Sequence, residues 1–215
     1  MAQVINTNVA ALFAGAALNK SAIALQTAQQ RLASGLRINS AKDDATGLVT
    51  ATNYDTQIRA ANVNVRVQND IISVAQTNDG YFGIVTENLQ RIAELLIQSP
   101  TGNAETTALI AENTSLVTRA GGTALTGTIS SVAADMTSVM TQRAALGATM
   151  ATAASEVSAY QISSVNLSAA YSRIMDTDYA TETTSMTRNN ILQQAGTAVL
   201  AQANQVPNTV LTLLR

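Results

Sequence analysis

The chain has no histidine, no cysteine and no tryptophan, only two prolines and two phenylalanines, and 12% charged residues in a length of 215. Each absence narrows what it can do. Without histidine or cysteine, the commonest general base, the commonest metal ligand and the thiol nucleophile are missing, and so is every disulfide. A net charge of −2 supplies no basic field for nucleic acid or an anionic membrane. With proline confined to Pro100 and Pro207, helices are free to run long. No run of about 18 consecutive apolar residues reads as a membrane span. The opening MAQVINTNVAALFAGAALNK lacks an early Lys or Arg and is interrupted by Asn6, Thr7 and Asn8. It reads as mature chain rather than as a cleaved signal.

What is present is alanine-rich. Apolar residues reach 47% while aromatics stay at 3%, so the apolar share is mostly Ala with Val, Ile and Leu. Alanine fills little volume but lets helices approach closely, which favours long, thin helix pairs over a thick core. A surface with so few charges is poorly suited to a free monomer and suits a chain covered by copies of itself or by a partner.

Four segments carry helical periodicity. In the first, residues 4–37, Val4, Ala11, Leu18, Leu25 and Leu32 recur every seven residues beside small companions. The second, residues 44–98, carries Ala61, Gln68, Ala75, Phe82, Leu89 and Leu96 in one row. Gly80 and Gly83 interrupt it and suggest close contact or a bend. The third, residues 129–174, is the clearest: Val132, Val139, Leu146, Ala153, Tyr160, Leu167 and Ile174 repeat throughout. Only Arg143 and Ser164 break its companion row, and a seven-residue repeat this long implies a left-handed coiled coil. The fourth, residues 179–214, has Leu192, Val199, Val206 and Leu213 in step. Between the second and third, residues 100–128 open with a turn, allow a short helix at 109–117, and end in a Gly- and Thr-rich stretch with the signature of a small β-hairpin. The expected fold is all-α, with long antiparallel coiled-coil helices built from both termini and a short loop at the tip.

The carboxylates of Asp43, Asp44, Asp176 and Asp178 cluster where helices break. Paired carboxylates can do acid–base work or hold a cation, but each group precedes a helical run, so they read as caps and dipole partners. No phosphate loop, nucleic-acid patch or catalytic constellation is present, and no cofactor is expected. Arg143, on a seam, either fixes register or snorkels outward.

Several runs, in order, resemble bacterial flagellin. They are AQVINTN at residues 2–8, SGLRINSAKDDATGL at 34–48, LQRIAEL at 89–95, QRAALGA at 142–148, SRIMDTDYA at 172–180 and ILQQAGTAVLAQAN at 191–204. Thr149-Met150-Ala151-Thr152 and Ala93 depart from that pattern, and residues 101–128 are all that stands where many flagellins have variable outer domains. The resemblance implies a minimal form, a structural subunit that polymerises into the helical flagellar filament and serves motility. A minor flagellar component, such as a hook–filament junction protein, is the alternative. It implies an inner-tube domain of residues 1–43 with 178–215 and an outer-tube domain of 44–177. Ser34, Gly35, Arg37, Asn39, Lys42, Asp43, Asp44, Asp176 and Asp178 then form the joint and subunit contacts. Val4, Leu18, Leu25, Leu32, Leu192, Val199, Val206 and Leu213 pack the inner tube. The implied partners are further copies of the chain, an export chaperone, and cap and hook-associated proteins, with export to the cell exterior through the flagellar apparatus. Neither nucleic acid nor membrane is implied. Host innate receptors would read Gln90, Arg91, Glu94 and Leu95 at the surface, and Leu211, Leu213 and Leu214 in the cytosol.

Overall fold

The structure, a computed structural model, describes residues 7–99 and 101–213, without the side chains of residues 129 and 206–213. Five α-helices follow in order: α1 (Val9–Ser34), α2 (Ala45–Gln98), α3 (Ala104–Arg119), α4 (Val132–Met175) and α5 (Tyr179–Leu213), with a 3₁₀ turn (Ile129–Ser131) leading into α4. The chain divides into two compact units, residues 1–55 with 168–215, and residues 56–167. Both boundaries fall inside helices, within α2 and within α4.

In the unit built from both ends of the chain, α1 and α5 pack together and run antiparallel. Asn8 Nδ2 donates to the Ala203 carbonyl at 2.8 Å, Leu18 lies against Gly196, and Arg31 pairs with Glu182 at 3.8 Å. On α1 the predicted rows face the partner: Leu25, Ala28, Ser21 and Ala14 are buried and Leu18 and Leu32 are half-buried. On α5 the row is different. The face toward α1 carries Glu182, Gly196 and Ala203, while Leu192 and Val199 remain 50% and 54% exposed. About half of each of these two side chains thus stays uncovered within the chain. A glycine and an alanine let the two backbones approach, with Leu18 filling the space above Gly196, where bulkier residues would hold them apart. Val4 lies outside the described residues, as do the side chains of Val206 and Leu213. By length and composition alone α1 is also apolar enough to cross a membrane, with a mean hydropathy of 1.3 in its most apolar window.

In the second unit, α2 and α4 are antiparallel. As the α2 position rises through Asn62, Gln68 and Asp79, its hydrogen-bonded α4 partner falls through Ser164, Glu156 and Arg143. Across residues 146–167 of α4, everything that is not exposed lies on the two predicted rows, apart from Glu156. The thick core sits at the tip, where α3 folds back: Phe82, Val85, Leu89, Ile92, Leu116, Val117, Ala120 and Val139 form one buried cluster. α2 runs unbroken through Gly80 and Gly83, and neither marks a close contact within the chain, since a Cβ at either would meet nothing within 4 Å.

The tip departs from the sequence-based expectation in two ways. The helix there spans Ala104–Arg119 because Asn103 and Thr106 form a capping box, each side chain bonding the other's backbone N–H at 3.0 and 2.9 Å. The hairpin does not form, and among the described residues 120–128 contain no strand. Its backbone donors are taken by α4 side chains: Thr123 N–H donates to Gln142 Oε1 at 2.8 Å, and Thr126 N–H to Asp135 Oδ1 at 2.9 Å. A ladder needs those same donors.

Candidate functional site

The joint between α1 and α2 faces the joint between α4 and α5. Gly35 ends α1 in the left-handed conformation, φ 72°, and its N–H closes the helix on the Arg31 carbonyl at 2.8 Å. Only glycine adopts this without strain. The chain then pairs with the returning segment in a single antiparallel bridge, Leu36 with Asp176. Arg37 N–H donates to the Met175 carbonyl at 2.6 Å, and Thr177 N–H to the Gly35 carbonyl at 3.0 Å. The Arg37 guanidinium also donates through Nε and Nη2 to the Ile174 carbonyl, at 3.1 and 2.9 Å. It places a cation on the Ile174 carbonyl at the C-terminal end of α4. Beneath lies a small apolar cluster of Ile38, Ala51 and Met175.

The acidic residues divide the work. Asp44 Oδ1 accepts from Gly47 N–H at 2.8 Å and caps α2. Asp178 Oδ1 accepts from Ala180 and Thr181 N–H at 2.9 and 3.3 Å and caps α5. Asp43 shapes the turn instead, its Oδ2 accepting from Asn39 N–H, Ser40 N–H and the Ser40 hydroxyl. Asp176 Oδ2 takes the Ser172 hydroxyl at 2.6 Å. Ser34 Oγ accepts from Leu36 N–H at 3.2 Å, and Lys42 is exposed. Gly47 is needed for room rather than for bending: a Cβ there would run into the Asp44 carboxylate and come within 2.8 Å of Ile38 Cδ1.

Asp43 and Asp178 titrate low. The Ser40 hydroxyl and then the backbone N–H groups of Asn39 and Ser40 hold Asp43 below its ordinary value. The Thr181 hydroxyl and the N–H groups of Thr181 and Ala180 do the same for Asp178. In the second unit Arg143 Nε donates to Asp79 Oδ1 at 2.8 Å, which lowers Asp79 and raises Arg143. Arg143 thus crosses the seam and ties α4 to α2. A carboxylate depressed on folding stabilises above its unfolded pKa of about 3.9, and that contribution is lost as pH falls through the folded value. With no histidine in the chain, no side chain of ordinary pKa titrates between about pH 5 and 8. Thermal midpoints followed by circular dichroism should therefore be flat from pH 5 to 8 and fall below about pH 4. A step near pH 6.5 would contradict this.

Gly35→Ala should loosen the joint by roughly 1–2 kcal/mol, the cost of a left-handed L-residue, because its Cβ would also stand 3.3 Å from the Tyr179 hydroxyl. The readout is amide exchange at Arg37 and Thr177, which should speed up while Val85 and Ile92 stay protected. Unchanged exchange at both joint amides would contradict the assignment.

Farther along α2, Gln90, Arg91 and Glu94 are exposed and Leu95 is buried. Arg91 donates to Glu94 and Glu105 at 3.2 and 3.3 Å. Leu211, Leu213 and Leu214 lie outside the described side chains. Sequence reasoning did not find Asp79 as the partner of Arg143, nor Asp135 as the organiser of the tip. Both are single charges at helical positions with no local motif to single them out.

Antiparallel terminal helices, a helical hairpin with a compact tip, and a joint made of caps and backbone bonds together define a helical structural subunit. Residues 5–116 match the bacterial flagellin N-terminal helical region, and residues 129–214 match the bacterial flagellin C-terminal helical region. The chain belongs to the bacterial flagellin family. It is 33% identical to a flagellin of Xenorhabdus nematophila over 313 residues, covering the whole of both chains. It is 51% identical to a Salmonella muenchen flagellin over 102 residues and 48% identical to one of Escherichia coli K12 over 102 residues. Those two matches cover 47% of this chain and 20% of each relative. The two helical regions are separated here by residues 117–128 alone, the mark of a minimal flagellin. The protein is a structural component of the flagellar filament and not an enzyme.

Proposed function

We propose that residues 1–43 with 178–215 line the inner tube of a helical homopolymer, and that residues 44–177 form its outer tube. The observation that carries this reading is the apolar surface left on α1 and α5 after they have packed on each other. Val9, Leu12, Phe13 and Ile23 are 66%, 65%, 78% and 57% exposed, and Ile191 is 59% exposed. Helices apolar on more than one side require more than one partner. Leu192 and Val199, half exposed within the chain, are the α5 contribution to those contacts between copies. A head-to-tail contact that does not close on itself generates a filament.

The same surfaces would be held by an export chaperone before assembly, and cap and hook-associated proteins would meet the growing and basal ends outside the cell. A host receptor at the surface would find Gln90, Arg91 and Glu94 accessible, with Leu95 acting through the core. The test is electron microscopy of the purified chain with added filament seeds. Long tubular filaments are expected. A chain that never elongates seeds would overturn the reading and favour a minor junction component.

A further inference from the structure

The tip contains a buried polar atom with no partner. Asn113, on α3, is 1% exposed. Its Oδ1 accepts from Asn88 Nδ2 at 2.9 Å, but its own Nδ2 has no hydrogen-bond partner. Asn113 lines a cavity of about 10 Å³ between α2, α3 and the start of α4. The walls are apolar at Leu89, Ile92 and Val132, and Asp135 supplies a carboxylate. That carboxylate accepts from Thr126 N–H, Gly127 N–H and the Ser131 hydroxyl. An ionised carboxylate accepts about four hydrogen bonds, so one place stays open.

We propose that this cavity is a binding site for one water molecule, which accepts from Asn113 Nδ2 and donates to Asp135. The volume matches a single water, since about 10–15 Å³ is the smallest space that holds one. The chemistry excludes the other small occupants. An ammonium ion could donate to Asp135 but could not accept from the Asn113 amide, and a halide could accept from the amide but would be repelled by the carboxylate. Water does both. The bound water joins α3 to α4 through the residue that already organises 126–131, so it belongs to the tip's framework and not to its surface.

The full-length chain is tested at a resolution that shows ordered solvent. A density peak is expected about 3 Å from Asn113 Nδ2 and within hydrogen-bond reach of the Asp135 carboxylate. In solution, a cross-relaxation peak is expected between the Asn113 side-chain amide and a long-lived water. Asn113→Leu should fill the cavity and abolish the density peak. A wild-type cavity without a peak, an Asn113 amide with no water cross-peak, or a peak that survives in Asn113→Leu would each overturn the proposal. The wild-type solution measurement stands even if the variant fails to fold.

Discussion

Replacing Phe82 with alanine is expected to cost about 3–5 kcal/mol, the range for removing a large buried aromatic side chain. Phe82 is 2% exposed and is the largest of the fully buried side chains among the described residues. It sits where α2, α3 and α4 meet, and the backbone after α3 packs directly on its ring. A Cβ at Gly122 would stand 2.5 Å from Phe82 Cζ. Elsewhere the helices touch along narrow alanine seams at Ala51, Ala61, Ala75 and Ala153, where a side-chain deletion has little to remove. A domain is typically stable by only about 5–15 kcal/mol, so the variant's tip should be partly open at room temperature. Urea unfolding, with amide exchange at Val117 and Val139, measures it. Val74→Ala, at a position 60% exposed, serves as the control and should lie within about 0.5 kcal/mol of the parent. A loss below about 1 kcal/mol for Phe82→Ala would mean the tip is not the thick core described here.

The second large effect is on assembly. Deleting residues 199–215 should abolish filament formation entirely, while the unit of residues 56–167 keeps its fold. The deletion removes the exposed Val199 and the Ala203 carbonyl that receives Asn8 Nδ2, and with them the last two turns of described contact with α1. None of the buried cluster around Phe82 is touched. Seeded polymerisation followed by light scattering and microscopy, alongside a helical circular-dichroism signal, separates the two consequences. Filaments from the truncated chain would remove the end of α5 from the assembly surface.

How far the sequence could be read depended on whether packing followed volume or proximity. The α4 rows were legible because Val139, Ala153 and their neighbours meet α2 along a regular seam, and the heptad is the direct record of that contact. The α5 row was legible as periodicity, with Leu192 and Val199 the more apolar residues in step, but the contacts with α1 at Gly196 and Ala203 were not, because small residues leave no hydrophobic signal. At the tip, the box that starts α3 uses Asn103 and Thr106 rather than an acidic or amide third residue, so its signature was faint. The apparent hairpin was a stretch whose donors belong to Gln142 and Asp135, side chains 19 and 9 residues away from the amides they hold. In the joint, Gly35, Asp44 and Asp178 could be read from cap chemistry alone. The hold of Arg37 on α4 could not, because nothing local to residue 37 names a carbonyl at Ile174.

That last bond has a consequence for how the molecule is made. Arg37 and the carbonyl it grips are 137 residues apart, and Asn8 and its acceptor are 195 apart. At roughly 5–20 residues per second, synthesis separates Arg37 from its acceptor by on the order of ten seconds. For that interval the α1 face of Ala14, Leu25 and Ala28, buried in the folded unit, has no partner of its own chain to cover it. The unit that joins α1 to α5 can close only once α5 has been made. Any product stopped before α5 leaves it open, so the closing of α1 on α5 reports that synthesis has passed through α5.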